Sequence, residues 1–222
     1  MSFTTDDLGR QFNETVGGVA KLARRGVDSY EAAAYGGYHK AGVVNYAAQV
    51  SAQIAGDARI VSIFNQGTQQ STTNRRESLV WLDRDDTFWV HCYSNNIQQS
   101  RYRVYVCTAL AHTHTVLRQL LQGYNGSLYF KVAAHAEAQI RNDTIVSWHP
   151  NIQDAHQWGA IAQANVGLLD GTAPAGTFGA FARSIGIDTE VQGDTSTSRI
   201  ARGVDQQNAD QRQKRILNNP YI

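Results

Sequence analysis

Three short runs, TFWVHCYS at 87–94, RYRVYVC at 101–107 and SLYFKVA at 127–133, switch between apolar and polar side chains at nearly every step. A two-residue period fits extended chain with one side turned to a core, because successive side chains of a strand point to opposite faces. Leu128, Phe130 and Val132 then share one face, against Tyr129 and Lys131 on the other. Tyr102, Val104 and Val106 oppose Arg101, Arg103 and Tyr105; Phe88, Val90 and Cys92 oppose Trp89, His91 and Tyr93. If the three strands pair, their second faces merge into a surface bearing His91, Tyr93, Arg101, Arg103, Tyr105, Tyr129 and Lys131, with almost no acid. Two readings stay open. An antiparallel sheet commonly wets one face. A wet face normally mixes charge signs, however, whereas guanidinium groups gathered together suit phosphate.

Elsewhere the period lengthens. TTDDLGRQFNETVGGVAKLARRG (4–26) repeats Leu8, Phe12, Val16 and Val19 at helical spacing, and VVNYAAQVSAQIAG (43–56) repeats Val43, Ala47, Val50 and Ile54 before Gly56. LAHTHTVLRQLLQGY and QDAHQWGAIAQANVG read as two more helices, each following a strand. SLVWLD and TFWVHCYS flank RDD as a hairpin, and RNDTIVSW follows SLYFKVA as another strand. Loops dominate 167–198, where Gly, Thr and Ser are frequent. The fold expected is α+β, one domain with a mainly antiparallel sheet and N-terminal and crossover helices. Its parts are a helical segment 1–57, a sheet-and-helix core 58–190, and a polar tail or helix 191–222.

The 222 residues, 42% of them hydrophobic, are enough for a real core. A net charge of +1 argues against a general nucleic-acid binder. Cys92 and Cys107 match no zinc spacing and read as packed thiols in a reducing compartment. The acidic start MSFTTDDLGRQF lacks an apolar signal core, and no apolar run reaches the ~20 residues of a membrane span. The expectation is a cytoplasmic chain without metal, cofactor or membrane partner, with type III export left open. GxSxG, HExxH and GxGxxG are absent. NQGTQQSTTNRR (65–76) is a polar loop with no GK[ST] after it, its Arg75 and Arg76 at an exposed end. His112 and His114 are two apart and share no helix face. His149 and His156 read as structural or surface residues. YGGYHK offers Lys40 beside a glycine pair that lets backbone approach a ligand.

The order RYRVYV, helix, YFKVA, RNDTIVSW and then TFGAFAR at 177–183 resembles HopA-like proteins, a family named after a type III effector of plant pathogens, with relatives in lanthipeptide and thioamide-peptide pathways. The likeness spans about 79–185 and is carried by motif order. It implies phosphothreonine-lyase-like chemistry on a phosphorylated ribosomal precursor peptide, with a partner kinase supplying the phosphate. By that resemblance Arg101 or Arg103, Lys131, Arg141 and Arg183 are basic site positions, and His91 matches by analogy. Lys131 would take the α-proton, if neighbouring cations and desolvation lower its pKa, and His91 would protonate the bridging oxygen. The arginines, with Tyr129 and Lys40, would hold phosphate and substrate. TFGAFAR has Thr where the family usually has Ser. The alternatives are a non-catalytic phosphopeptide- or partner-binding module and an ADP-ribosyltransferase-like toxin, the latter weakened by the lack of an ExE pair.

Overall fold

The alternating runs do form one sheet. In the computed structural model the described residues are 47–65, 70–72, 89–134, 143–171, 173 and 181–190. All lie within the unit Lys40–Val191. The expected helix at 4–26, Lys40, the strand SLVWLD, Arg75, Arg76, Arg141 and the tail from 191 lie outside them. Three helices are described: α1 (Ala47–Gly56), α2 (Thr113–Gly123) and α3 (Ile152–Gln163). Seven strands are β1 (Ile60–Asn65), β2 (Gln70–Thr72), β3 (Trp89–Ser94), β4 (Tyr102–Val106), β5 (Tyr129–Ala133), β6 (Ile145–His149) and β7 (Ile185–Thr189).

The strands lie in the order β2-β1-β3-β5-β6-β4-β7, with every neighbouring pair antiparallel. The fold is therefore α+β. Two crossovers interlock: α2 carries the chain from β4 past β6 to β5, and α3 carries it from β6 past β4 to β7. Parallel strands separated by another strand need such long connections.

The helices cover one face of the sheet. Val50 and Ile54 of α1, Val116, Leu117 and Leu120 of α2, and Trp158 of α3 share a core with Val90, Cys92, Val104, Phe130, Ile145 and Ile187 from the strands. Each such side chain contributes about 1.5–3 kcal/mol by leaving water. The Asn151 side chain caps α3 by accepting the Asp154 N–H at 2.8 Å. Gly159 lets α3 run close to Phe181, whose ring would meet an added Cβ at 3.0 Å. Inside this core Tyr124 Oη and Ser147 Oγ bond the two ring nitrogens of His149, at 3.2 and 2.8 Å. His149 is thus a buried structural residue. No helix among the described residues is long and apolar enough to cross a membrane.

Three strands were not expected. IVSIFN forms β1, where a register shift between Ile60 and Ser62 disturbs the alternation that marks a strand. Gln70–Thr72, in the expected polar loop, pairs with β1. The expected loop region also contains β7, which closes the sheet on β4.

Candidate functional site

On the face away from the helices, strand register sorts the side chains into rows. One row runs Phe64, His91, Lys131, Val146, Tyr105 and Gly186 across β1, β3, β5, β6, β4 and β7. His91 and Lys131 are direct cross-strand partners, a placement that brings their side chains together above the sheet. The next row contains Tyr93, Tyr129, Trp148, Arg103 and Asp188. Beyond the His91 row, Trp89 pairs with Ala133.

Aromatic contacts tie the rows together. Tyr93 stacks on Tyr129 at 4.9 Å, Tyr129 on Trp148 at 4.4 Å, and the Arg103 guanidinium lies 5.5 Å from the Trp148 ring. His91 sits between Trp148 at 5.9 Å, Tyr93 at 6.3 Å and the edge-on ring of Phe64 at 5.8 Å. The Lys131 ammonium rests 4.1 Å above Trp89, a cation–π contact that fixes where it points. Burial, and after it the Lys131 charge, pushes the His91 imidazole down to about 3. At neutral pH this ring is uncharged, unlike the protonated imidazole expected as a proton donor, though its N–H still donates. Burial also raises the Tyr93 and Tyr129 phenols, so both are hydroxyl donors rather than bases.

Of the residues singled out from sequence, His91, Tyr93, Arg103, Tyr105, Tyr129 and Lys131 share this face. Among the described residues, the arginines do not surround Lys131. Arg101 is exposed at the start of β4, its N–H donating to His149 O at 2.9 Å. Arg183 is exposed in the turn before β7, where Ser184 O accepts the Cys107 N–H. At ~3.4 Å per residue these two lie at opposite ends of β4, on the order of 20 Å apart. Arg103 donates to Glu190 Oε1 at 2.5 Å and to Tyr105 Oη at 3.1 Å. Burial opposes its charge, but Tyr105 and Glu190 outweigh that and its pKa is raised.

The expectation that this face carries almost no acid is therefore corrected, since Glu190 and Asp188 stand on it. Both belong to or follow β7, and an unrecognised strand gives its residues no face. Trp148 is the other residue missed. Continuing the alternation of RNDTIVSW across from Tyr129 would have placed it.

Two solved structures share the fold. An effector protein from Pseudomonas syringae pv. tomato strain DC3000 superposes with a TM-score of 0.62 at 13% identity, over 89% of this chain and 86% of that one. An effector protein from Pseudomonas syringae pv. syringae strain 61 gives 0.55 at 12%, over 91% and 86%. The type III effector/phosphothreonine lyase OspF from Shigella flexneri gives 0.39 at 12%, over 87% and 98%, too loose a superposition to carry an argument. No protein-family model matches the sequence, and no curated protein does. The likeness is one of chain path.

Proposed function

We propose that the face carrying Lys131 and His91 is the active site of a carbon–oxygen lyase. Its substrate is phosphoserine or phosphothreonine within a peptide, and its product a dehydroamino acid. The observation that carries this reading is the cross-strand pairing of an amine and an imidazole in an aromatic-walled site. In the reaction the amine of Lys131, once deprotonated, takes the α-proton, the electron pair forms the Cα=Cβ bond, and the Cβ–O bond breaks. The phosphate dianion bound beside His91 draws a proton onto the ring, and the imidazolium so formed gives it to the bridging oxygen, so that phosphate leaves as the monohydrogen dianion. Proton transfer from the Lys131 ammonium, through solvent, restores the amine and the imidazolium. Each proton-transfer group is worth about 10²–10⁴ in rate. Tyr93 and Tyr129, held as phenols, supply hydroxyl donors to the leaving oxygens. Arg101 and Arg183, with Arg141 and Lys40 from outside the described residues, are the remaining candidates for phosphate charge.

The finer reading follows the motif likeness rather than the fold: the peptide is a ribosomal precursor, phosphorylated by a partner kinase. One observation favours a competing reading. Both well-superposed structures are named as effectors, not for a reaction, which suits a phosphopeptide-binding module. Incubation with a synthetic phosphothreonine peptide separates the two by mass spectrometry. A lyase yields a product lighter by phosphoric acid, with Lys131→Ala slowed by about 10³-fold or more. Binding by the wild type without any loss of mass overturns the lyase and leaves the module.

A further inference from the structure

A half-buried carboxylate on the face proposed to receive phosphate needs a reason. Glu190 follows β7, with its N–H fixed on Arg101 O at 2.8 Å. Its side chain is 17% exposed and that of Arg103 13%. Their pairing is incomplete. Oε1 accepts from Nη2 at 2.5 Å, yet Oε2 of Glu190 and Nε of Arg103 are both buried without a hydrogen-bond partner. A guanidinium fork can bond two oxygens of one anion through Nε and Nη2. Here one prong is used and one buried acceptor is left over, an arrangement that leaving polar atoms unsatisfied makes costly. Tyr105 Oη and the Trp148 ring meanwhile hold the guanidinium in place from the other side.

We propose that Glu190 is a resident counter-ion, filling the anion position on Arg103 until a phosphate monoester displaces it. The incoming phosphate takes both Nε and Nη2 of Arg103, and the Glu190 side chain rotates out to water while its backbone stays on Arg101. No covalent bond changes. The exchange keeps the guanidinium neutralised in the empty site, and it selects for ligands able to use both prongs. Phosphate does so better than a single carboxylate oxygen. The proposal rests on the reading of this face as the phosphate site, but not on elimination taking place there.

Inorganic phosphate and a phosphothreonine peptide, titrated calorimetrically at fixed ionic strength, test it. With its resident anion removed, Glu190→Gln should bind inorganic phosphate about 10-fold or more tighter than the wild type. Glu190→Asp, one methylene shorter, should gain in the same direction. The gain should vanish in the double variant Glu190→Gln, Arg103→Leu. In the wild type, the carboxyl carbon-13 resonance of Glu190 should move toward a solvated value as phosphate saturates. Equal or weaker phosphate binding by Glu190→Gln, a gain that survives loss of Arg103, or an unmoved Glu190 resonance overturns the exchange. Because inorganic phosphate cannot undergo elimination, these outcomes stand apart from those of the lyase assay. A peptide eliminated by a protein whose Glu190 never leaves Arg103 would sink this proposal alone.

Discussion

His91 shows how one residue's surroundings decide its chemistry. Its neighbours are rings and a lysine, so the charged imidazole loses hydration and meets a like charge, and its pKa falls to about 3. In the free protein its ring resonances should therefore show no titration between pH 5 and 8. Lys131→Met removes the smaller cause and leaves the larger one, so the midpoint should rise yet stay below 6.5. A wild-type midpoint near 6.5 would overturn the reading that His91 is uncharged in the empty site. Lys131 has a matching test. Arg in its place keeps a cation for Trp89 but cannot release a proton near neutrality. Lys131→Arg should lower the elimination rate by about 10²–10⁴-fold while changing peptide affinity little, read from single-turnover kinetics and direct binding.

Strands differ in how plainly their sequence declares them. β3, β4 and β5 each keep close to a two-residue alternation in sequence over five or six residues, and parity alone placed His91, Lys131, Tyr129 and Arg103 on one face. β1 hides behind its register shift, and IGIDT is short, with a glycine where alternation would be read. Glu190 was invisible for that reason: knowing that an acid exists differs from knowing which strand carries it. Arg59 was hidden in another way. α2 has no basic residue in its last turn, and the guanidinium that serves it comes from the link between α1 and β1. Arg59 donates to Tyr124 O and, at 2.6 Å, to Leu121 O, while Asp57 Oδ1 holds its Nε at 2.9 Å. Such a clamp joins residues 62 apart in sequence, and no local pattern announces it. Arg59→Ala should lower stability by about 1–2 kcal/mol, measured by urea unfolding, since carbonyls at a helix end lose a charged partner. Arg59→Lys should recover only part of that, because an ammonium lacks the fork. Full recovery by lysine would show that charge alone matters.

For the molecule as a whole, a half-buried and a fully buried histidine on opposite faces of one sheet link folding to pH. His91 and His149 both stand at about 3 in the folded protein against 6.5 for a free imidazole. Between those values the unfolded chain holds more protons than the native one, so stability falls as pH drops. The contribution is fully present above about 6.5, is lost at up to about 1.4 kcal/mol per pH unit for each histidine, and stops changing below about 3. Urea midpoints at pH 7.5, 6 and 5 should trace that decline. His149→Gln removes one of the two protons and should flatten the slope by about half, whatever it does to stability itself; an unchanged slope would mean that His149 is not the group being titrated. An anion that stays dianionic across this range, such as sulfate, tells the two histidines apart. A dianion bound beside His91 favours the imidazolium there and leaves His149, sealed with Tyr124 and Ser147 under the helices, as it was. Saturating sulfate, a dianion at both pH values, should then stabilise the wild type more at pH 5 than at pH 7.5, and that difference should persist in His149→Gln and vanish in His91→Asn. If the difference survives without His91, the anion binds somewhere other than the face that carries Lys131.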